Sequence, residues 1–204
     1  MDKRAHWQNI YQTKNSKDVS WFASHLTQSL EFINKAGLKN NDPMIDVGAG
    51  ASTLVDDLLE QGFTKLTALD ISSESLEMTR RRLSHEARKI EWLTGDITEM
   101  ELPKNYYKLW HDRAVFHFLT QREDKEKYKR ALRESLKPKG YAVIAAFSLE
   151  GPEKCSGLEV VRYSPETLSK ELGAKFKLLE ASTDFHKTPF GTVQAFMYGL
   201  FQKF

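Results

Sequence analysis

The chain has 204 residues, 40% of them apolar and 28% charged, which is the composition of a soluble globular protein. Its 30 basic and 28 acidic residues leave a net charge of +2, so there is no electrostatic basis for binding DNA, RNA or an anionic membrane. The single cysteine, Cys155, excludes an internal disulfide or a thiolate metal cluster and points to a reducing cytoplasm.

Length fits one domain, with residues 1–26 as a cover segment and 27–204 as its core. The N-terminus lacks a signal peptide's apolar centre, and no run approaches the ~18 apolar residues of a membrane span. Within the cover, Trp7, Tyr11, Trp21 and Phe22 precede the first core helix. Aromatics placed there can close over a site and exclude water, and ordinary packing against the sheet edge is the alternative.

A helix is expected over 27–37 and a short buried strand over 44–47. Leu54, Val55, Leu58 and Leu59 share one face of a helix over 52–62, which stops at Gly62. A strand over 65–71 leads into a serine-capped helix over 72–87, whose run Arg80–Arg82 reads as a solvated face. Strands follow over 89–96 and 107–113. Thr120 and Glu123 form a capping box for a helix over 120–136, with Tyr128, Leu132 and Leu136 inward. "YAVIAAF" (141–147) is apolar enough to be a central strand buried on both faces. Ser164, Pro165 and Gly173 bound a helix, and strands over 176–185 and 192–204 are joined closely enough to pair antiparallel. The alternation predicts an α/β fold, with a mostly parallel seven-stranded sheet, helices on both faces and an antiparallel C-terminal strand.

Ligands of such sheets bind beyond the carboxyl ends of the strands, at the topological switch point. Gly48 and Gly50, with Ala49 between them, sit at the first strand-to-helix turn, where missing side chains admit a ligand to the backbone. A nicotinamide dinucleotide loop wants a third glycine, but Thr53 stands there. Asp46, two residues before the first glycine, would repel a phosphate and suits an ammonium group. Asp70 ends the second strand, where a carboxylate accepts both hydroxyls of a ribose. Asp96 ends the third and can accept from an adenine amino group, with Ile71 and Ile97 against the ring. A tight turn without a ligand is the alternative for the glycines, a helix cap for Asp70 and a turn carboxylate for Asp96. Acids at three consecutive strand ends, without a pyrophosphate-binding Lys or Arg, favour a cationic adenosine ligand such as S-adenosylmethionine.

D-x-G-x-G-x-S, the Asp70 strand end, "GDI" and "LKPKG" together resemble the class I S-adenosylmethionine-dependent methyltransferases, over residues 44–147. The resemblance implies a Rossmann-like fold, S-adenosylmethionine as cofactor and the antiparallel sheet ending. It also implies that Asp112 lies beside the methionine part of the cofactor, and that W-x-x-x-Y belongs to an N-terminal cover. Three positions depart from the pattern. Ser52 replaces the usual third glycine, Lys139 interrupts the usual "KPGG", and Lys108 replaces a frequent acid. Ser52 and Asp112-Arg113 resemble a branch rich in protein-lysine methyltransferases.

The acceptor side is expected after the fourth strand. His111, Asp112 and Arg113 are the candidate catalytic residues, with His111 as acid or base. The alternative is structural, with Arg113 paired to Asp112 or another carboxylate. His117 is a candidate substrate contact, although a histidine on an apolar stretch is commonly core. Arg162 and Tyr163 lie in a long irregular loop of the kind that often carries function. Cys155 has no activating partner in the sequence, and His111, His117 and His186 match no metal-ligand spacing, so no metal site is expected. The expected acceptor is a small molecule carrying N, O or S. A protein lysine is the alternative; a nicotinamide-dependent oxidoreductase or a non-catalytic cofactor-binding protein are the readings from other classes.

Overall fold

The computed structural model describes residues 2–204. The core sheet is built from β1 (Met44–Val47), β2 (Leu66–Asp70), β3 (Ile90–Thr94), β4 (Tyr107–Arg113) and β5 (Leu136–Phe147). A small hairpin of β6 (Lys154–Cys155) and β7 (Leu158–Glu159) follows, and β8 (Phe176–Lys187) and β9 (Val193–Lys203) complete the sheet. The strand order is β3-β2-β1-β4-β5-β9-β8. β1 to β5 pair in parallel, and β9 runs antiparallel to both its neighbours. This is the mostly parallel sheet the alternation predicts.

Side-chain alternation along the strands divides the core into two layers. Val143, Ala145 and Phe147 of β5 face α2 (Thr27–Lys35) and α3 (Leu54–Glu60), packing with Phe32, Ile33, Leu54 and Leu58. Ala142, Ile144 and Ala146 face α5 (Arg122–Ser135) and α6 (Pro165–Leu172), packing with Tyr128, Leu132, Leu168 and Leu172. On β1, Met44 points to the first layer and Ile45 and Val47 to the second. Asp46 therefore shares the Met44 face.

Several boundaries differ from expectation. The helix expected over 72–87 is α4 (Ser73–Leu83), followed by a 3-10 turn over Ser84–Lys89. Ser84 takes the left-handed φ of 54°, which an L-residue in a continuing α-helix does not adopt. Gln121 precedes α5 with no side-chain cap, so the Thr120–Glu123 box is not formed. β5 starts at Leu136, because that residue already pairs with Tyr107 before a bulge. The loop after β5 is less irregular than expected, holding the β6–β7 hairpin. The cover segment contains a helix, α1 (Lys3–Thr13), capped by Asp2. Gln8 of α1 accepts from the Ser72 hydroxyl at 3.0 Å, at the start of α4. Trp7 makes edge contacts with Trp21 and Phe118, so α1 lies across the carboxyl end of the sheet.

Candidate functional site

The strand order reverses between β1 and β4, whose carboxyl ends diverge into the glycine loop and the Ala114 turn. Beneath α1 this point opens into a cavity of about 950 Å³, counting the space at its mouth. Trp7, Tyr11, Trp21, Gly48, Asp70, Ile71, Asp96, Ile97, Arg113, His117 and Cys155 border it. An adjoining space of about 510 Å³ is lined by Asp46, Gly48, Ala49, Gly50, Ser52 and His111. Tyr11, Trp21, Gly48 and Arg113 border both.

Gly48 and Gly50 have left-handed φ values of 72° and 52°, and a Cβ on Gly48 would fall 2.0 Å from Val115 Cγ2. The backbone N–H groups of Gly48 and Ala49 donate to Leu69 O, and that of Gly50 donates to Asp70 Oδ2 at 2.9 Å. These three amides pin the loop to β2, whereas the sequence suggests them as ligand donors. Asp70 Oδ1 accepts from Ser72 N at 2.8 Å, so the carboxylate both ends β2 beside the cavity and ties the following turn. Burial pushes its pKa up to about 6, against the lowering effect of those backbone donors. Asp96 Oδ1 accepts from the amide and hydroxyl of Thr98, and its side of the cavity carries Ile71 and Ile97. Ser52 Oγ accepts from Leu54 N at 3.1 Å, securing the entry into α3.

Asp46 is 6% exposed. Its Oδ1 accepts from His111 Nδ1 at 2.7 Å, while its Oδ2 has no partner among the described residues. His111 is only 2% exposed, and its Nε2 lies 2.9 Å from Ser29 Oγ. Both ring nitrogens are engaged and the ring borders the Asp46 space, so the structure does not place an acid or base for the acceptor here. It places a buried group that orients Asp46. Ser29, which escaped the sequence reading, lies 3.4 Å from the Tyr198 hydroxyl. Its only sequence signal is that a serine interrupts the apolar face of α2.

Asp112 is likewise displaced from its expected role. Its oxygens accept from Val115 N at 2.8 Å, Phe116 N at 3.1 Å and Tyr128 OH at 2.5 Å. It is wholly buried and borders neither space, and burial raises its pKa to about 6. The carboxylate fastens the turn after β4 to α5. Arg113 does not pair with it. Arg113 Nε donates to Tyr198 OH at 3.0 Å, Nη1 donates to Trp21 O at 3.2 Å, and the guanidinium sits 4.5 Å from the Phe196 ring centre. Arg162 and Tyr163 are not brought to the cavity. Arg162 binds Leu149 O and Glu153 at the surface, and Tyr163 packs in the α5–α6 layer. His117 is buried, as a core histidine would be, yet also borders the cavity. Phe118, Phe147, Gln194 and Phe196 complete that wall. The sequence gives them only a packing pattern, because β9 meets the site through long-range pairing.

The methyltransferase-domain family matches residues 44–140. Among curated relatives, the eEF1A lysine and N-terminal methyltransferase of Bos taurus is 24% identical over 121 residues, or 59% of this chain. The chain spans only 17% of that protein's length. The EEF1A lysine methyltransferase 2 of Danio rerio is 22% identical, with 79% of this chain and 77% of the relative covered. Two solved structures share the fold. A SAM-dependent methyltransferase from Anabaena variabilis superposes with a TM-score of 0.75 at 15% identity, covering 100% of this chain and 96% of that one. The N-methyltransferase NodS from Bradyrhizobium japonicum, in complex with S-adenosylhomocysteine, gives 0.74 at 14% identity, covering 97% and 98%.

The residues fit S-adenosylmethionine. Asp46 Oδ2 is a buried, unpartnered acceptor of the kind an ammonium satisfies. Asp70 retains lone pairs beside the cavity for hydroxyl donors. The Ile71–Ile97 wall is apolar, as an adenine face requires.

Proposed function

We propose that this chain, which carries a class I S-adenosylmethionine-dependent methyltransferase domain, transfers a methyl group to a small molecule bound beneath α1. When bound, the cofactor supplies a sulfonium-activated methyl. The chain's own contribution is alignment and exclusion of water. Asp46, oriented by His111, receives the ammonium; Asp70 receives the ribose hydroxyls; Asp96, Ile71 and Ile97 hold the adenine. The acceptor occupies the wall formed by Arg113, His117, Phe147, Gln194 and Phe196, with Trp7 and Trp21 above it.

The observation that carries the reading is the roof. Trp7, Tyr11 and Trp21 border the cavity, and Trp7 and Trp21 stack edge to face, giving it an aromatic wall of the kind that suits a small molecule. A second reading, a protein-lysine acceptor, draws on the curated relatives and on Ser52 and Asp112-Arg113. Methyl-labelled cofactor incubated with the enzyme and fractionated lysate separates the two. Label in the low-molecular-weight pool supports the first reading; label only in protein overturns it.

A further inference from the structure

Arg113 stands apart from the other buried or half-buried charges around the site. It has no carboxylate partner within ion-pair distance among the described residues. Its two hydrogen bonds go to neutral oxygens, the Tyr198 hydroxyl and the Trp21 carbonyl, and Nη2 has no hydrogen-bond partner among the described residues. One face lies on Phe196 at 4.5 Å. Arg113 is half-buried, and a guanidinium partly withdrawn from water against an aromatic wall, with a nitrogen left over, is a ready partner for an anion.

The neighbouring groups do not pair with Arg113: Asp46, which shares the adjoining space with it, is bonded to His111 and forms no ion pair with Arg113. Burial holds His117 neutral, lowering its pKa to about 3, with the Arg113 charge adding to the shift. His186 is also lowered, by burial and then by Arg113. Burial raises the Cys155 thiol. The acids that border the cavity, Asp70 and Asp96, lie at the ends of β2 and β3, across β1 from Arg113 on β4. A second donor sits on the Arg113 side. His117 Nδ1 accepts from Phe147 N at 3.3 Å, so the ring hydrogen is on Nε2, which is buried without a partner. Among the described residues, an unmet acceptor on the same wall as Arg113 and His117 is Gln194 Oε1.

We infer that the acceptor is a small aromatic or otherwise flat anion, such as a carboxylate or phenolate, whose negative oxygen is anchored by Arg113 with His117 Nε2 as second donor. The inference rests on the small-molecule reading above. Arg113 binds that oxygen through its fork, Phe147, Phe196 and Trp21 hold the flat body, and Gln194 Oε1 accepts from an O–H or N–H of the acceptor. A lysine ammonium would enter against an uncompensated like charge. Because Arg113 also borders the Asp46 space, the anion has a second source, the carboxylate of the cofactor itself, and the test separates the two.

Trp7 and Trp21 border the cavity, so tryptophan quenching reports probe binding directly. Protein saturated with S-adenosylhomocysteine is titrated with benzoate, 4-hydroxybenzoate, benzamide and benzylamine. The expected result is at least tenfold preference for the two anions over benzamide, with benzylamine weakest. R113Q abolishes the preference, R113K retains part of it, and each binds S-adenosylhomocysteine within about twofold of wild type. Equal binding of all four probes, binding of none, or unchanged selectivity in R113Q overturns the inference. A tenfold loss of S-adenosylhomocysteine affinity in R113Q with anion selectivity intact also overturns it, assigning Arg113 to the cofactor. In the lysate assay, labelled small molecules are expected to bind an anion-exchange resin. Labelled small molecules that all flow through sink this inference alone, whereas label confined to protein sinks the reading beneath it.

Discussion

Two carboxylates of one type carry different duties because their partners differ. Asp70 faces the cavity and Asp112 faces α5, although both are buried and both are raised to about 6. The acids at the strand ends were legible in the sequence because a carboxylate after an apolar run stands out. What each accepts from was not, since Asp46 meets His111 and Asp112 meets Tyr128 only through tertiary packing. The raised Asp70 gives a pH prediction. Ribose hydroxyls donate best to the anion, so S-adenosylhomocysteine affinity should be flat above about pH 7 and fall below about 6, approaching tenfold per pH unit. Asp70→Asn should bind more weakly by ~1–3 kcal/mol and show a flat profile. In the free protein the sign is opposite. A carboxyl whose folded pKa exceeds its unfolded value contributes stability that is complete below the unfolded value, 3.8, and lost as pH rises through about 6. Wild type should therefore lose stability relative to Asp70→Asn between those pH values, measured by urea unfolding. A pH-independent affinity in wild type would remove Asp70 from the ribose site.

At the scale of elements, strands were easier to place than helix ends. β1, β2 and the later part of β5 are short apolar runs that burial dictates, whereas the Ser84 break and the start of β5 depend on backbone geometry that side-chain periodicity does not encode. The turn before Gly140 shows the point. Lys139 takes a left-handed φ of 56°, where the family pattern has glycine. Its carbonyl accepts from Lys108 Nζ at 2.9 Å, which also gives the unusual Lys108 a structural role. Because a side chain in that conformation costs ~1–2 kcal/mol, partly offset by glycine's greater unfolded entropy, Lys139→Gly should raise the melting temperature by about 1–3 °C. A fall would mean that the Lys139 stem contributes packing that outweighs the strain. α1 invites a different measurement. Ile10 and Tyr11 are its only buried residues, and its ties to the body include the Gln8 contact and an ion pair from Lys3 to Asp124 at 2.6 Å. Its amides should exchange with deuterium faster than those of β5 and slow on binding S-adenosylhomocysteine. Equal protection with and without ligand would mean a fixed roof.

For the whole molecule, strand–helix alternation made the sheet legible, and the order reversal beside β1 then located the site without any residue-level motif. The proposed partition of that site into an acidic adenosine side and a cationic acceptor side was not legible, because β9, α1 and α2 reach it from distant parts of the chain. The same partition decides between cofactor classes. A dinucleotide brings a pyrophosphate to the first glycine loop, but here the loop's amides at Gly48, Ala49 and Gly50 are already bonded to β2. Beside the loop, the Asp46 carboxylate oxygen is unmet among the described residues, and it repels a phosphate and attracts an ammonium. Ligand binding stabilises the folded state by mass action, by about 2.7 kcal/mol at 100 times the dissociation constant. For a chain of this size that corresponds to roughly 5–10 °C in melting temperature. S-adenosylhomocysteine should produce such a shift, and Asp46→Ala should remove most of it, because the ammonium then has no counter-charge. NADH at the same concentration should leave the melting temperature within about 1 °C of the free protein, since its pyrophosphate finds the Gly48, Ala49 and Gly50 amides already bonded to β2 and the Asp46 carboxylate beside them. A shift with NADH and none with S-adenosylhomocysteine would mean that the loop rearranges to release its amides, and the electrostatic assignment of both chambers would fall with it.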